Sequence, residues 1–319
     1  MTALPLPALD GRTPLGFLAA LGVLHLVTEH TAHSARLAWS RTTGTAELHD
    51  AHTDIGGLVT DLNEIVRSIP DGGVLPAVDP SFPPPGEAPD RLRLTRPRFF
   101  EYAELVSTRD GDTAERWLAS LVTDLSVDDQ QRADISLFAA PSGKQSMRTM
   151  LEKPLAILRK DPSVLREAVV AWRRHPGVTG EYLDHRVLFD AVDAPDGRSA
   201  ERGVPGATWL ALMSYPMMST TSLGRDPITT CWQDLGRRGG RRMIYPLWSA
   251  AFDSAAVRAV LSHPVLHLAE PGPPPVAAQA LSVFWIGHAA RRRIPGRTFA
   301  GALTPTTAPV TPDRSRRRR

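Results

Sequence analysis

The sequence predicts an α+β fold, predominantly helical with short antiparallel strands. Several segments keep apolar residues at helical spacing, and the clearest is 54–69. Two short runs of partial alternation, 35–41 and 45–50, flank Thr42-Thr43-Gly44 as the arms of a hairpin would. A chain of 319 residues that is 42% hydrophobic and 22% charged can bury one large core or two small ones. The same figures exclude collagen-like, highly charged disordered and coiled-coil chains.

Taken in order, Thr13-Pro14 supplies an N-cap and a first-turn proline for the opening helix. Leu15, Leu18, Leu21, Val23, Leu24 and Leu26 make that helix apolar on most sides, so a buried core element is expected. Gly16 and Gly22 leave room on it for a neighbouring backbone. The hairpin follows, then an amphipathic helix carrying Leu58, Leu62, Ile65, Val66 and Ile69. The N-terminal region, 1–75, therefore reads helix–hairpin–helix. A proline-rich connection, 76–97, includes Pro83-Pro84-Pro85 and is expected as an extended surface link or a partner-binding arm. At its end Arg91, Leu92, Arg93 and Leu94 alternate as an edge strand does.

The remainder, 98–303, is expected as a mainly helical α+β region. Helices are predicted over 113–125, 145–159, 162–174, 206–214, 254–262 and 276–292, with short strands or loops at 186–192 and 228–233. Residues 304–319 are expected as a disordered basic tail.

The 29 prolines are about twice the usual share and fall in clusters, so they mark boundaries. The net charge of +3 conceals an asymmetry. Arg314, Arg316, Arg317, Arg318 and Arg319 are five of the 37 basic residues, and the other 32 face 34 acidic ones. A nucleic-acid site on the body must then come from local clustering. A single cysteine, Cys231, excludes an internal disulfide and any multi-cysteine zinc site. The apolar run 15–27 is too short to span a bilayer, and no secretory pattern opens the sequence. The expected location is the cytoplasm, with no membrane partner.

Catalytic motifs are hard to find. Gly143-Lys144-Gln145-Ser146 looks like the end of a P-loop, but Phe138 stands where the first glycine belongs and Gln145 where the metal-binding hydroxyl belongs. There is no GxSxG elbow and no GxGxxG after a strand. His30/His33 and His49/His52 form an HxxH pair at each end of the hairpin segment, and two such pairs brought together could bind zinc. The alternative is that they are exposed turn residues. His263 and His267 are split by Pro264, and Asp184-His185 is a single pair without further ligands. No catalytic residue, metal ligand or cofactor is assigned, and the chain is expected to be non-enzymatic.

Nucleic-acid features are stronger. Arg237, Arg238, Arg241 and Arg242 lie on a glycine-rich segment, where backbone can approach a phosphate chain and guanidinium groups bind its oxygens. A solvated charged loop is the alternative. Arg96 and Arg98 adjoin Phe99, Phe100 and Tyr102, a pattern that suits phosphate contact with stacking, although Phe99 and Phe100 read rather as core. Lys144 and Gln145 precede a helix and could present an ammonium and amides to a phosphate. Arg291, Arg292 and Arg293 would end the last predicted helix, where cations favour the dipole.

Four segments carry a resemblance. Leu9-Asp10-Gly11-Arg12-Thr13-Pro14-Leu15-Gly16 and on to Leu24 resembles the opening of proteins encoded in type I-G (formerly I-U) CRISPR loci. Phe138 to Met150, with its Gly-x-Gln before a helix, is similar to an internal block of that family. So are Phe189–Val192 through Gly206–Ala211 with Tyr215-Pro216, and Arg241–Trp248. The resemblance implies a subunit related to the large, target-recognising subunit of a Cascade-like RNA-guided complex. Its partners would be crRNA, target DNA and the other complex subunits, and the nuclease-helicase would be a separate protein. In such machines guide pairing reads sequence while protein subunits hold backbones. Two rival readings are a metal-dependent hydrolase built on the HxxH pairs and a protein-only scaffold using the proline-rich arm.

Overall fold

The computed structural model describes residues 3–86, 93–109, 111–140, 145–189, 201–235, 240–268, 270–292 and 301–306. Its class is mixed, 42% helix and 26% strand, with five small antiparallel sheets. The predominantly helical expectation is therefore corrected, although α+β itself is compatible.

The first element is a strand that the sequence pattern does not reveal, β1 (Ala3–Asp10). Leu4, Leu6 and Leu9 are buried, whereas Pro5 and Pro7 face out. The sheet order is β1-β3-β2, so β1 lies on an edge, where a proline without an N–H is tolerated. The other two strands are the expected hairpin, β2 (Arg36–Trp39) and β3 (Thr45–His49). The N-terminal unit is thus strand–helix–hairpin–helix.

Between β1 and β2 runs α1 (Pro14–His30), buried along its length from Pro14 to Val27. Thr13 Oγ1 accepts from the Gly16 N–H at 3.2 Å, which makes the predicted cap. Helix α2 (Ile55–Ser68) is capped by Asp54 and buries Leu58, Leu62, Ile65 and Val66. The described part of the proline-rich segment is packed and does not project. Val74, Leu75, Val78 and Phe82 are in the core. The carbonyls of Ile69, Pro70 and Pro80 accept from Arg159 and Arg148 at 2.8–3.1 Å.

Arg91 and Leu92 of the expected edge strand lie outside the described residues, and only Thr95 forms a bridge, to Arg132. An unexpected helix follows, α3 (Arg96–Arg109), with Pro97 in its first turn. The helix expected over 113–125 is α4 (Gly111–Leu121), and at Val122-Thr123 the chain turns into β4 (Val122–Val127), which pairs with β5 (Ala133–Ile135).

Helix α5 (Met147–Lys160) matches expectation, and α6 (Ser163–Val170) forms but ends short of the expected 174. Beyond the short pair β6 (His175–Pro176) and β7 (Arg202–Gly203), and the single turn α7 (Arg186–Phe189), comes α8 (Pro205–Met213), wholly buried. It packs along α1. A Cβ on Gly22 would fall 1.7 Å from the Leu210 carbonyl oxygen, so only glycine permits this approach.

The second half carries more strand than expected. β8 (Thr220–Leu223) pairs with β9 (Asp226–Thr229), and a four-stranded sheet runs β10-β11-β12-β13. Its strands are Trp232–Asp234, Arg241–Trp248, Val283–Arg292 and Ala302–Thr306. Helix α9 (Ser254–Leu261) lies between β11 and β12.

The helix expected over 276–292 is a one-turn α10 (Val276–Gln279) followed by β12. As an inner strand, β12 is covered over much of both faces, and its apolar run Val-Phe-Trp-Ile lacks the alternation that distinguishes strand from helix. Gly287 in it lies under the Tyr245 ring, where a Cβ would come within 2.4 Å. Residues 304–306, expected as tail, end β13, and the five terminal arginines lie outside the described residues.

Aromatic packing joins the two main sheets through α1. Phe17 stacks on Trp39 at 5.7 Å and meets Tyr245 and Trp248 at 5.3 and 6.3 Å. Trp248 Nε1 donates to the Leu37 carbonyl at 2.8 Å. No helix among the described residues is long and apolar enough to cross a membrane.

Candidate functional site

A cavity of about 370 Å³ opens between the β4–β5 hairpin, the Ser136–Ala139 turn and the ends of β10, β11 and β12. Arg93, Arg241 and Arg291 line it with Trp232, and Asp134 is the one acid among its described lining residues. Strand β5 places Asp134, and the antiparallel β10–β11 pair places Trp232 and Arg241 together by setting Trp232 opposite Met243 and Asp234 opposite Arg241.

Arg291 is the most constrained cation. It donates through its terminal nitrogens to the Phe138 and Gly301 carbonyls at 2.5 and 3.0 Å. Burial lowers its pKa to about 10, against the attraction of Tyr215 and Glu181. It stays charged at neutral pH. Phe138 packs between Tyr215 and Trp232, with ring centroids 5.5 and 5.6 Å away. Trp232 Nε1 and Tyr215 Oη are buried without a hydrogen-bond partner, and burial raises the Tyr215 pKa above its ordinary value.

Glu181 escapes sequence reasoning. It lies in the turn Gly180–Tyr182, only 5% exposed, and accepts from Gln145 Nε2. Glu181 and Tyr182 both take left-handed backbone, φ 48 and 55, an arrangement that costs energy in residues with a Cβ. Burial raises the Glu181 pKa to about 7, with Lys153, Gln145, Thr179 and Arg291 opposing. It is a carboxyl poised to change protonation near neutrality. Nothing local in Thr-Gly-Glu-Tyr signals that burial.

The sequence-predicted residues are distributed as follows. Gln145 is buried and serves Glu181 instead of facing a phosphate. Arg241 lines the cavity and pairs with Asp226 and Asp234 at 3.4 Å each. Arg242 donates to Gln233 Oε1 at 3.0 Å and faces Glu270 at 3.9 Å. Arg96 faces Asp124 at 3.6 Å, and Arg98 pairs with Glu101 at 2.6 Å beneath the Tyr102 ring. Lys144, Arg237 and Arg238 lie outside the described residues. Of the two neighbouring rings, Phe99 packs against the core and Phe100 is 54% exposed, which corrects its reading as core.

Of the expected histidine pairs, the fold brings one member of each together. His33 and His52 meet at 4.5 Å between ring centroids, beside Asp61 of α2. Asp184 is committed to Arg174 and Arg186 at 2.5 and 3.5 Å. Cys231 is buried, and burial pushes its thiol up to about 12, so it is no nucleophile at neutral pH.

No protein-family model matches the chain, and no curated protein sequence matches it.

Proposed function

We propose that this chain is a non-catalytic subunit of a type I-G CRISPR RNA-guided interference complex. In the cytoplasm it would hold the backbone of guide RNA or target DNA and dock on neighbouring subunits. The observation that carries the reading is the cavity that joins three guanidinium groups to the Trp232 indole. Clustered arginines are what single-stranded nucleic acid uses to hold its phosphates, and Trp232, buried against Phe138, forms the floor of the cavity. Its volume of about 370 Å³ is on the scale of one small ligand or nucleotide unit.

Arg241 is the cation most easily diverted to a phosphate. Its partners Asp226 and Asp234 are 74% and 52% exposed, and such surface pairs contribute roughly 0–1 kcal/mol. Resemblance of the four blocks to the type I-G family supports the larger assignment, and their described residues include parts of α1, α5, α8 and β11.

Two measurements test it. Guide RNA should copurify with the chain from a host expressing the whole locus, and recovery at background level would refute the assignment. Binding of a single-stranded oligonucleotide should weaken in Arg93→Ala/Arg241→Ala, and its salt slope should fall by about 0.7 for each phosphate that the variant no longer neutralises. Unchanged affinity and slope would remove the cavity from the interface.

A further inference from the structure

We propose that His33, His52 and Asp61 form a divalent metal site of the zinc class, separate from the arginine-lined cavity and independent of the nucleic-acid reading. The end of α1, the exit of β3 and the second turn of α2 converge there. Helix α1 ends at His30, and Thr31 closes it by donating from Oγ1 to the Val27 carbonyl at 2.6 Å. The same hydroxyl oxygen accepts from the His33 N–H at 3.2 Å, which fixes the start of the loop that carries His33. His52 leaves the end of β3 and lies over the first turn of α2. A Cβ on Gly57 would sit 3.3 Å from His52 Nδ1, so glycine there leaves the ring its place. Asp61 is one turn further along α2.

The spacing is that of ligands around an ion. His52 Nε2 and His33 Nε2 lie 3.3 and 3.7 Å from the same atom, Asp61 Oδ2. All three ligand atoms fall within 4.8 Å of one another. Ligands about 2.1 Å from a tetrahedral zinc ion are about 3.4 Å apart, so an ion fits between them with small adjustments. His52 Nε2 is buried and forms no hydrogen bond, although its side chain is only 7% exposed. A buried imidazole nitrogen that approaches a carboxylate without forming a hydrogen bond is poorly satisfied, and a metal bond to both would satisfy it. Two imidazoles and one carboxylate favour zinc over magnesium, which prefers all-oxygen ligands.

Three protein ligands leave a fourth position. A cavity of about 480 Å³ lined by His30, His33, Asp61 and Glu64 adjoins the cluster and would supply water or an oxygen ligand there. In the structure the ion would tie the end of α1 and the exit of β3 to α2.

The test uses the full chain, freed of metal with a chelator and carrying no histidine tag. Zinc titrated by calorimetry should bind one ion per chain and raise the melting temperature, and magnesium should do neither. Cobalt(II) should give the intense visible absorption of a four-coordinate site. His33→Ala, at a half-exposed position, and Asp61→Asn should each weaken zinc binding tenfold or more. His263→Ala, on a remote turn, should leave it unchanged. Absence of zinc binding by the wild-type chain, a pale six-coordinate cobalt spectrum, or affinity unaffected by both site variants would overturn the proposal.

Discussion

Replacing Glu181 with glutamine should stabilise the protein by an amount that grows with pH. The folded carboxyl titrates at about 7 because burial disfavours its charge, against 4.5 when exposed. Below pH 4.5 both states are protonated and the carboxyl costs nothing. As pH rises, the unfolded chain ionises first and gains free energy that the folded chain cannot match, so stability falls by about 1.4 kcal/mol per unit until pH 7. Across that window the loss is about 3 kcal/mol.

Glu181→Gln keeps the shape, and its amide oxygen can still accept from Gln145. Urea unfolding of both proteins between pH 4 and 8 gives the difference in stability directly. That difference should be small at pH 4, climb through pH 5 and 6, and level off near 3 kcal/mol above pH 7. His25 has the opposite sense, because burial, with His30, Arg116 and Arg258 adding to it, holds its imidazole down at about 3. It removes stability as pH falls below 6.5, but it is present in both proteins and cancels in the difference. A difference that stays flat with pH, or a variant less stable than wild type at pH 8, would refute the buried-carboxyl account.

Gly22→Ala should destabilise the fold by about 3 kcal/mol or more, because its Cβ would strike the Leu210 backbone; thermal melts will show it. Asp184→Asn should cost about 3 kcal/mol in chemical denaturation, since Arg174 and Arg186 would then face a neutral buried group. Trp248→Phe keeps an aromatic ring edge-on to Phe17 but leaves the Leu37 carbonyl without its indole donor, an expected loss of about 1–2 kcal/mol by urea titration. Glu29→Gln removes the carboxylate shared by Arg116 and Arg258, and its destabilisation should be larger at low salt than at high salt.

Much of the helical framework was legible because caps and periodicity are local. Thr13, Asp54, Ser146 and Asp253 cap the helices that follow them. Strands were harder for two opposite reasons. β1 contains two prolines, residues that disfavour a strand, but it lies on a sheet edge where a missing N–H is tolerated. In β12 burial erased the alternation, and Ala289 and Ala290 added helix propensity that the sheet overrides.

The candidate sites were legible only in part. The arginines at 241 and 242 were evident, but the acids that share them come from Asp226, Asp234 and Glu270, which no spacing rule connects. His33 and His52 stood out as members of two pairs, whereas Asp61 looked like an ordinary exposed residue of an amphipathic helix. Trp232 and Arg291 come from strands of one sheet and Arg93 reaches them from the segment before α3, a meeting that has no sequence signature.

The intimate packing of α1 on α8 has a cost in time. A helix that is apolar on most sides is complete at His30, and the helix that covers it ends only at Met213. At about 10–20 residues per second, the earlier helix waits on the order of ten seconds without its partner. During that interval its leucines are available to any other apolar surface, including another nascent chain. Burial of α1 therefore waits on residues far along the chain, and a chain shortened before Pro205 would lack the helix that covers it.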